Sequence, residues 1–319
     1  MYNRIVSNII GGRHIMRLKT ITVGYIVLFI SVVFISMNLV FQYQALIDID
    51  KDAIDVSNYI KLVDEVSDNK AQVNWKYVAS IIAVKNRNRL YSVSDKAIKH
   101  TAELFIEKTN DGYKLNSLGD VLDKLHFNSR KKERVNDYVD QLEYFGLTPN
   151  RLQKDTKYTK FIDEIKDEAI KNYKEYKILP SITISQAILE SSWGDSDLAK
   201  KYNNLFGIKA DIFWKGDYVT LETLEFQDTT INDKFRVYKN KNQSIEDHAK
   251  FLVDNERYRE GGVFKAKTYI QQATALQDSG YSTAEDENGE KRYARDLMNL
   301  IRQYNLQLID SQVQSEYGN

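Results

Sequence analysis

The chain has 319 residues with 42% hydrophobic and 28% charged content, and its 45 basic residues are matched by 45 acidic ones. That is enough apolar material for an ordinary core, and the charge balance leaves no global field to attract nucleic acid. The absence of cysteine excludes disulfides, thiolate metal sites and a thiol nucleophile, while two prolines and 14 glycines fit a mainly α chain without long flexible linkers.

Ile21 to Phe41 is almost wholly apolar, and no charge occurs from Thr20 to Ile47. Twenty-one helical residues rise about 31 Å, enough to cross a bilayer core of roughly 30 Å. Arg4, Arg13, Arg17 and Lys19 precede the run, and Asp48, Asp50 and Asp52 follow it, which orients the N-terminus to the cytoplasm. Residues 20–42 are therefore expected to be an uncleaved transmembrane signal anchor, with 1–19 a short cytoplasmic N-terminus and the remaining bulk extracellular. The run is longer than a signal core, and no small-x-small cleavage site follows it at Gln42 to Gln44. Met16 is a second candidate initiator that leaves this reading intact. Gly24, Ser31 and Ser36 offer small faces on which a helix of an integral-membrane protein partner can pack.

Residues 46–150 read as a helical extracellular accessory region. Ile60, Val63 and Val66 mark one helix, Val73 to Leu90 a second, and Ser94 caps a third through DKAIKHTAELFIEK. Asn110-Asp111-Gly112 is a turn separating helices, and Leu118 to Leu125 and Lys131 to Phe145 supply two more. No paired carboxylates or ligand spacing occur here. Thr148-Pro149-Asn150 is the best boundary, leaving 151–310 as a second domain and 311–319 as a polar tail.

Pro180 and Ser181 open the next helix, the serine hydroxyl being able to accept an orphan N–H of the first turn. Ile184, Ala187, Ile188 and Ser191 recur at helical steps, so one face packs inward, and Gly194 ends the run. Asp195 or Ser196 caps a short helix through Tyr202, and Asn203-Asn204 with Gly207 turns the chain. Glu190 falls in the last turn, near Ile188, Leu189 and Trp193, with no cation adjacent in sequence and Asp195 and Asp197 just beyond. Apolar contact, like charges and the helix C-terminus all favour the protonated acid, the state required of a general acid. On spacing alone, a solvated surface glutamate is the commoner reading of such a residue.

Beyond Ala210 the period changes. Asp217 to Phe226 and Lys234 to Tyr238 carry aromatic and β-branched residues around a turn at Asn232-Asp233, a small β-hairpin lobe. Alternation places Glu222 and Glu225 on opposite faces, so at most one of them points into a cleft. Ser244 begins a capping box for a helix over Ile245 to Val253, on which His248 reads as structural.

The ordered series SQAILESSWGDSDLAKKYNNLFGIK, Trp214, Thr223 to Glu225, Phe235 to Tyr238, Ser244 to Phe251 and Gly280-Tyr281 resembles the signature of the glycoside hydrolase family 73 N-acetylglucosaminidases, over about half of the chain. Together with the anchor it resembles the membrane-anchored members of that family. The resemblance implies a lysozyme-like helical catalytic domain with a small β-hairpin lobe, and endo-hydrolysis of GlcNAc-β-1,4-MurNAc bonds in peptidoglycan glycan strands near the membrane. It implies Glu190 as the acid and Glu225, in its Thr-x-Glu context, as the second glutamate, with Glu222 the rival. Tyr281, in Gly-Tyr-Ser-Thr where the family has Gly-Tyr-Ala-Thr, is implied to line the cleft near the acid. The family's short Asp-Pro continuation is replaced by AEDENGEKR, which leaves the alignment after Thr283 open. Trp193, Phe206 and Trp214 have flat faces on which sugar rings stack, Asn204 offers an amide contact, and no metal or cofactor is needed. A lytic transglycosylase using one glutamate, or a non-catalytic membrane-tethered wall-binding module, are the alternatives.

Overall fold

The computed structural model describes residues 23–39, 48–225 and 229–318, with only the backbone described at 223–225 and 229–231. The chain divides into two compact units, Met1–Ile49 and Asp50–Asn319. In the first, residues 23–39 form a helix whose apolar side chains are exposed, among them Phe29 and Phe34. Among the described residues no helix is long and apolar enough to cross a membrane. The expected span over 20–42 runs past this helix at both ends into positions outside the described residues.

The second unit starts with α1 (Val56–Ser67), α2 (Trp75–Lys85) and α3 (Asp95–Glu103). Ser94 caps α3 as its sequence predicts, its hydroxyl accepting from the Ala97 N–H at 3.3 Å. The helix stops earlier than expected, because the β-branched and aromatic stretch after it pairs instead. β1 (Ile106–Thr109) and β2 (Gly112–Leu115) form an antiparallel hairpin, so Asn110-Asp111-Gly112 is its turn and not a break between helices. The helices α4 (Leu118–Lys124), α5 (Ser129–Gln141) and α6 (Pro149–Leu152) complete this region.

Next come α7 (Lys157–Tyr176), α8 (Pro180–Ser191), α9 (Asp197–Tyr202), β3 (Tyr218–Glu225) and β4 (Thr229–Arg236). They are followed by α10 (Lys241–Asp254), α11 (Glu256–Glu260), α12 (Tyr269–Asp278), α13 (Tyr293–Gln303) and α14 (Gln307–Tyr317). The unit is mainly helical, with α8 at its centre against α7, α12, α13 and α14. Burial of α8 is not confined to one stripe: Ser181, Thr183, Ser185 and Gln186 are as inaccessible as Ile184 and Ala187. A helix enclosed on all sides must have its polar groups satisfied by neighbours.

That requirement explains its start. Ser181 does not cap α8. Pro180 sits at the first helical position, where its missing N–H costs nothing, and Asp310 from α14 accepts from both the N–H and the hydroxyl of Ser181. The expected polar tail at 311–319 is correspondingly a correction: to Tyr317 it is helix, with Ser311, Val313 and Gln314 buried. Ser244 is likewise not a cap. Asn240 caps α10 by accepting from Gln243 N–H, while buried Ser244 accepts from the Leu205 N–H at 3.1 Å. The turn of the second hairpin also moves, since Asn232 and Asp233 lie within β4, opposite Glu222 and Leu221.

The accessory region and the catalytic residues form one body. Asp64 on α1 accepts from Tyr269 of α12 and pairs with Arg302 of α13 at 3.3 Å. The indole of Trp75 donates to Asn305 at 3.2 Å, and Asn305 in turn donates to the Phe145 carbonyl at 3.1 Å. The boundary near Thr148 therefore marks no separation in space.

Candidate active site

The C-terminal end of α8 fixes the site. Ser192, Trp193 and Gly194 are all left-handed, with φ of 52°, 66° and 76°. For a tryptophan this is a costly conformation, here held by the Ser191 hydroxyl, which accepts from the Gly194 N–H at 2.7 Å. A Cβ at Gly194 would stand 2.8 Å from the ring of Phe161, so the tight return of the chain requires glycine. Glu190, one turn before this reversal, lines a cleft of about 470 Å³. The other walls are Phe206, Gly207, Ile208, Lys209 and Asp211, then Arg236 from β4, Phe251 from α10, Arg257 and Tyr258 from α11, and Tyr281 with Ser282.

Glu190 is exposed at the cleft, yet protein atoms crowd its carboxyl enough to desolvate it. That desolvation raises its pKa above the ordinary glutamate value, while a hydrogen bond from Tyr293 partly opposes the shift. The Tyr293 hydroxyl donates to Glu190 Oε1 at 3.0 Å and accepts from Gln186 Nε2 at 3.0 Å. Gln186 and Glu190 are one helical turn apart, so a single phenol bridges both. The Tyr281 ring stacks on Tyr293, with centroids 5.2 Å apart and planes at 24°. Burial holds both phenols well above their usual pKa, so they remain protonated.

Behind Tyr281 stands His248. Its Nε2 lies 3.0 Å from the Tyr281 hydroxyl, and its ring stacks on Phe206 at 3.9 Å with planes at 9°. Burial pushes its pKa down to about 3, so the imidazole is neutral and carries one proton. Nδ1 is buried without a hydrogen-bond partner. A buried unpaired N–H is costlier than an unpaired lone pair, which places the proton on Nε2 and makes His248 the donor. Tyr281 then keeps its own proton to donate, with the Tyr293 hydroxyl as a near neighbour. His248 is structural, as expected, and also positions Tyr281.

The other sequence candidates divide. Phe206 and Tyr281 join Glu190 in the cleft. Trp193 does not line it: the indole packs edge-on against Tyr158 and Tyr304, at 4.8 and 4.6 Å. Asn204 is buried, its amide donating to the carbonyls of Ile208 and Arg236 and accepting from the Ile208 N–H, so it ties the loop to β4 and offers nothing to a ligand. Trp214 lies beside the cleft under the Arg236 guanidinium, 4.5 Å from its ring centroid, and donates to the Asp217 carbonyl at 2.9 Å. Glu222 is exposed. Glu225 ends β3 opposite Thr229, and its side chain lies outside the described residues. Tyr293 was not singled out from sequence, since one tyrosine among 21 carries no signal until α13 is docked against α8.

A carboxyl whose pKa is raised in an open cleft, backed by phenols and walled by aromatic rings, is the equipment of a glycoside hydrolase. The family model described as mannosyl-glycoprotein endo-beta-N-acetylglucosaminidase matches residues 166–306, so this stretch of the chain is a glucosaminidase domain. The chain is 42% identical over 158 residues to the exo-glucosaminidase LytG of Bacillus subtilis, covering 47% of this chain and 52% of that protein. Against the peptidoglycan hydrolase FlgJ of Escherichia coli K12 it is 34% identical over 144 residues, 43% of each chain. The chain thus spans about half the length of these curated relatives. Among solved structures, the catalytic domain of the autolysin Auto from Listeria monocytogenes superposes with a TM-score of 0.43 and 36% identity, covering 50% of this chain and 90% of that one.

Proposed function

We propose that the chain is a membrane-anchored endo-β-N-acetylglucosaminidase that hydrolyses the β-1,4 bond on the reducing side of N-acetylglucosamine in peptidoglycan glycan strands, within a lysozyme-like catalytic domain. The observation that carries this reading is Glu190 at the cleft, its carboxyl oriented by Tyr293 and its pKa raised by desolvation. Glu190 gives its proton to the departing glycosidic oxygen, and Tyr293, bonded to one carboxyl oxygen, leaves the other to face the scissile bond. As the bond breaks, positive charge builds on the sugar ring. The Tyr281 hydroxyl, positioned by His248, orients the substrate acetamide or the attacking water. Glu225 is the proposed second carboxylate, serving as nucleophile, as base, or as support for attack by the acetamide. Phe206 supplies an apolar face for a sugar ring, and Trp214 extends the wall beside the cleft.

The anchor over 20–42 rests on the apolar, outward-facing helix at 23–39. Its polar residues bond back to their own helix, Ser31 and Ser36 each donating to a carbonyl four residues earlier at 2.8 Å. Such internal satisfaction suits a hydrocarbon surrounding. The small faces of Gly24, Ser31 and Ser36 fit an integral-membrane partner helix.

The test is digestion of purified peptidoglycan by the full-length chain, with Glu190→Gln and Glu225→Gln beside it and reducing ends identified by mass spectrometry. N-acetylglucosamine at new reducing ends, lost in Glu190→Gln, is the expected result. Full activity in Glu190→Gln overturns it. A lytic transglycosylase is the second reading. It is favoured by one observation: among the described residues lining the cleft, Glu190 is the one carboxyl without an ion-pair partner, Asp211 being paired with Arg236. Anhydro ends would establish it.

A further inference from the structure

Three cations line the cleft: Lys209, Arg236 and Arg257. Lys209 is paired with Asp233. Arg236 is held between Asp247 at 2.8 Å and Asp211 at 3.6 Å, its guanidinium further bonded to the Lys209 carbonyl. Arg257 has no carboxylate partner among the described residues, although it is no loose surface group. Its Nη2 donates to the hydroxyl of buried Tyr258 at 2.6 Å, and the guanidinium lies 4.6 Å from that ring's centroid. One edge of the fork is therefore fixed by α11. The other edge, Nη1, lies near Gly280, 3.8 Å from where a Cβ would stand, and Arg257 as a whole is exposed at the cleft. A guanidinium with five donors, one of them engaged by Tyr258 and the others without a partner among the described residues, suits a planar anion. Glu190 is not that anion: its carboxyl accepts from Tyr293, and no ion pair joins it to Arg257 among the described residues.

We infer that Arg257 is a specificity-determining residue that binds a carboxylate of the substrate in the cleft. The inference rests on the proposed glycan-cleaving function and deepens it. N-acetylglucosamine carries no charge, whereas each N-acetylmuramic acid carries a lactyl carboxyl, free in peptide-free strands and amide-linked where a stem peptide is attached, the stem then bringing carboxylates of its own. A cation fixed in the cleft thus selects peptidoglycan over an uncharged polymer of N-acetylglucosamine. The acid-base machinery at Glu190 is indifferent to that distinction.

The experiment measures binding, independently of cleavage, to the full-length chain and its Arg257→Gln and Arg257→Lys variants. Three ligands are compared: peptide-free glycan strands, the same strands with the lactyl carboxyl reduced to the alcohol, and peptide-bearing strands. The unsubstituted chain is expected to bind a carboxylate-bearing strand about tenfold more tightly than the reduced one, and Arg257→Gln to bind both equally, with Arg257→Lys in between. Discrimination confined to peptide-free strands identifies the lactyl carboxylate. Discrimination confined to peptide-bearing strands identifies the stem. Equal binding of all three ligands by the unsubstituted chain, or a loss in Arg257→Gln as large for reduced strands as for charged ones, overturns the inference. Absence of cleavage with charge discrimination intact would count against the hydrolase reading alone.

Discussion

His248 Nε2 stands 3.0 Å from the hydroxyl of Tyr281, and the imidazole that makes this contact is fully enclosed and neutral. The pairing fixes which way the tyrosine proton points. Replacing His248 with phenylalanine keeps the stack on Phe206 and removes the donor, leaving Tyr281 free to turn. The turnover number on peptidoglycan is expected to fall by about tenfold with little change in KM, since one hydrogen bond of roughly 1.4 kcal/mol is lost. Tyr281→Phe should fall at least as far, and the double variant no further than Tyr281→Phe alone. Additive losses would mean that His248 acts through something other than Tyr281.

Glu190 sets a pH dependence with a defined sign. Its folded pKa is raised above the unfolded one, so the folded chain binds more protons, and its contribution to stability is complete below the unfolded pKa and lost as pH rises through the folded pKa. Activity that needs the acid falls over the same window. Thermal melts should therefore show Glu190→Gln gaining on the parent at about pH 8 and matching it at about pH 4. A gain that appears on acidification would contradict the raised pKa of this carboxyl.

Asp310 accepts both polar hydrogens of Ser181 at the start of α8, and burial pushes its carboxyl up to about 7. Asp310→Ala leaves the Ser181 groups buried and unpaired, at a cost of about 2 kcal/mol in denaturant unfolding. Since the folded pKa is raised, this group's stabilisation is present at low pH and lost as pH climbs toward and through about 7. Asp310→Asn should flatten that part of the stability profile.

Asn204 tests the division between binding and architecture. Its three hydrogen bonds are all to backbone, so Asn204→Ala should lower stability by about 2 kcal/mol through the unpaired carbonyls of Ile208 and Arg236. If folded Asn204→Ala instead shows only a raised KM, the side chain contacts substrate after all.

Asp64 joins the accessory helices to α12 and α13 through Tyr269 and Arg302. Removing it leaves a half-buried guanidinium without its partner, and Asp64→Ala is expected to cost about 3 kcal/mol. Because α13 also carries Tyr293, the melt should remain a single transition and activity should drop with it. Two separated transitions would show that the accessory region folds apart from the catalytic helices.

The sequence by itself determined what is local. The helix opened by Pro180 and closed near Gly194, the caps at Ser94 and Ser196, the helical character and the second hairpin follow from periodicity, capping chemistry and an ordered motif series. These depend on residues within a few positions of one another. What the tertiary structure alone decided lies between residues far apart in the chain. Tyr293 is 103 positions from Glu190, Asp310 caps a helix 129 positions earlier, and His248 reaches Tyr281 across 33. The same distance explains the reassignments: Trp193 and Asn204 have side chains suited to sugars, but the core claimed them first. Buried polar and aromatic groups must be satisfied by whatever packs against them, and that neighbour is set by the fold, not by the local sequence.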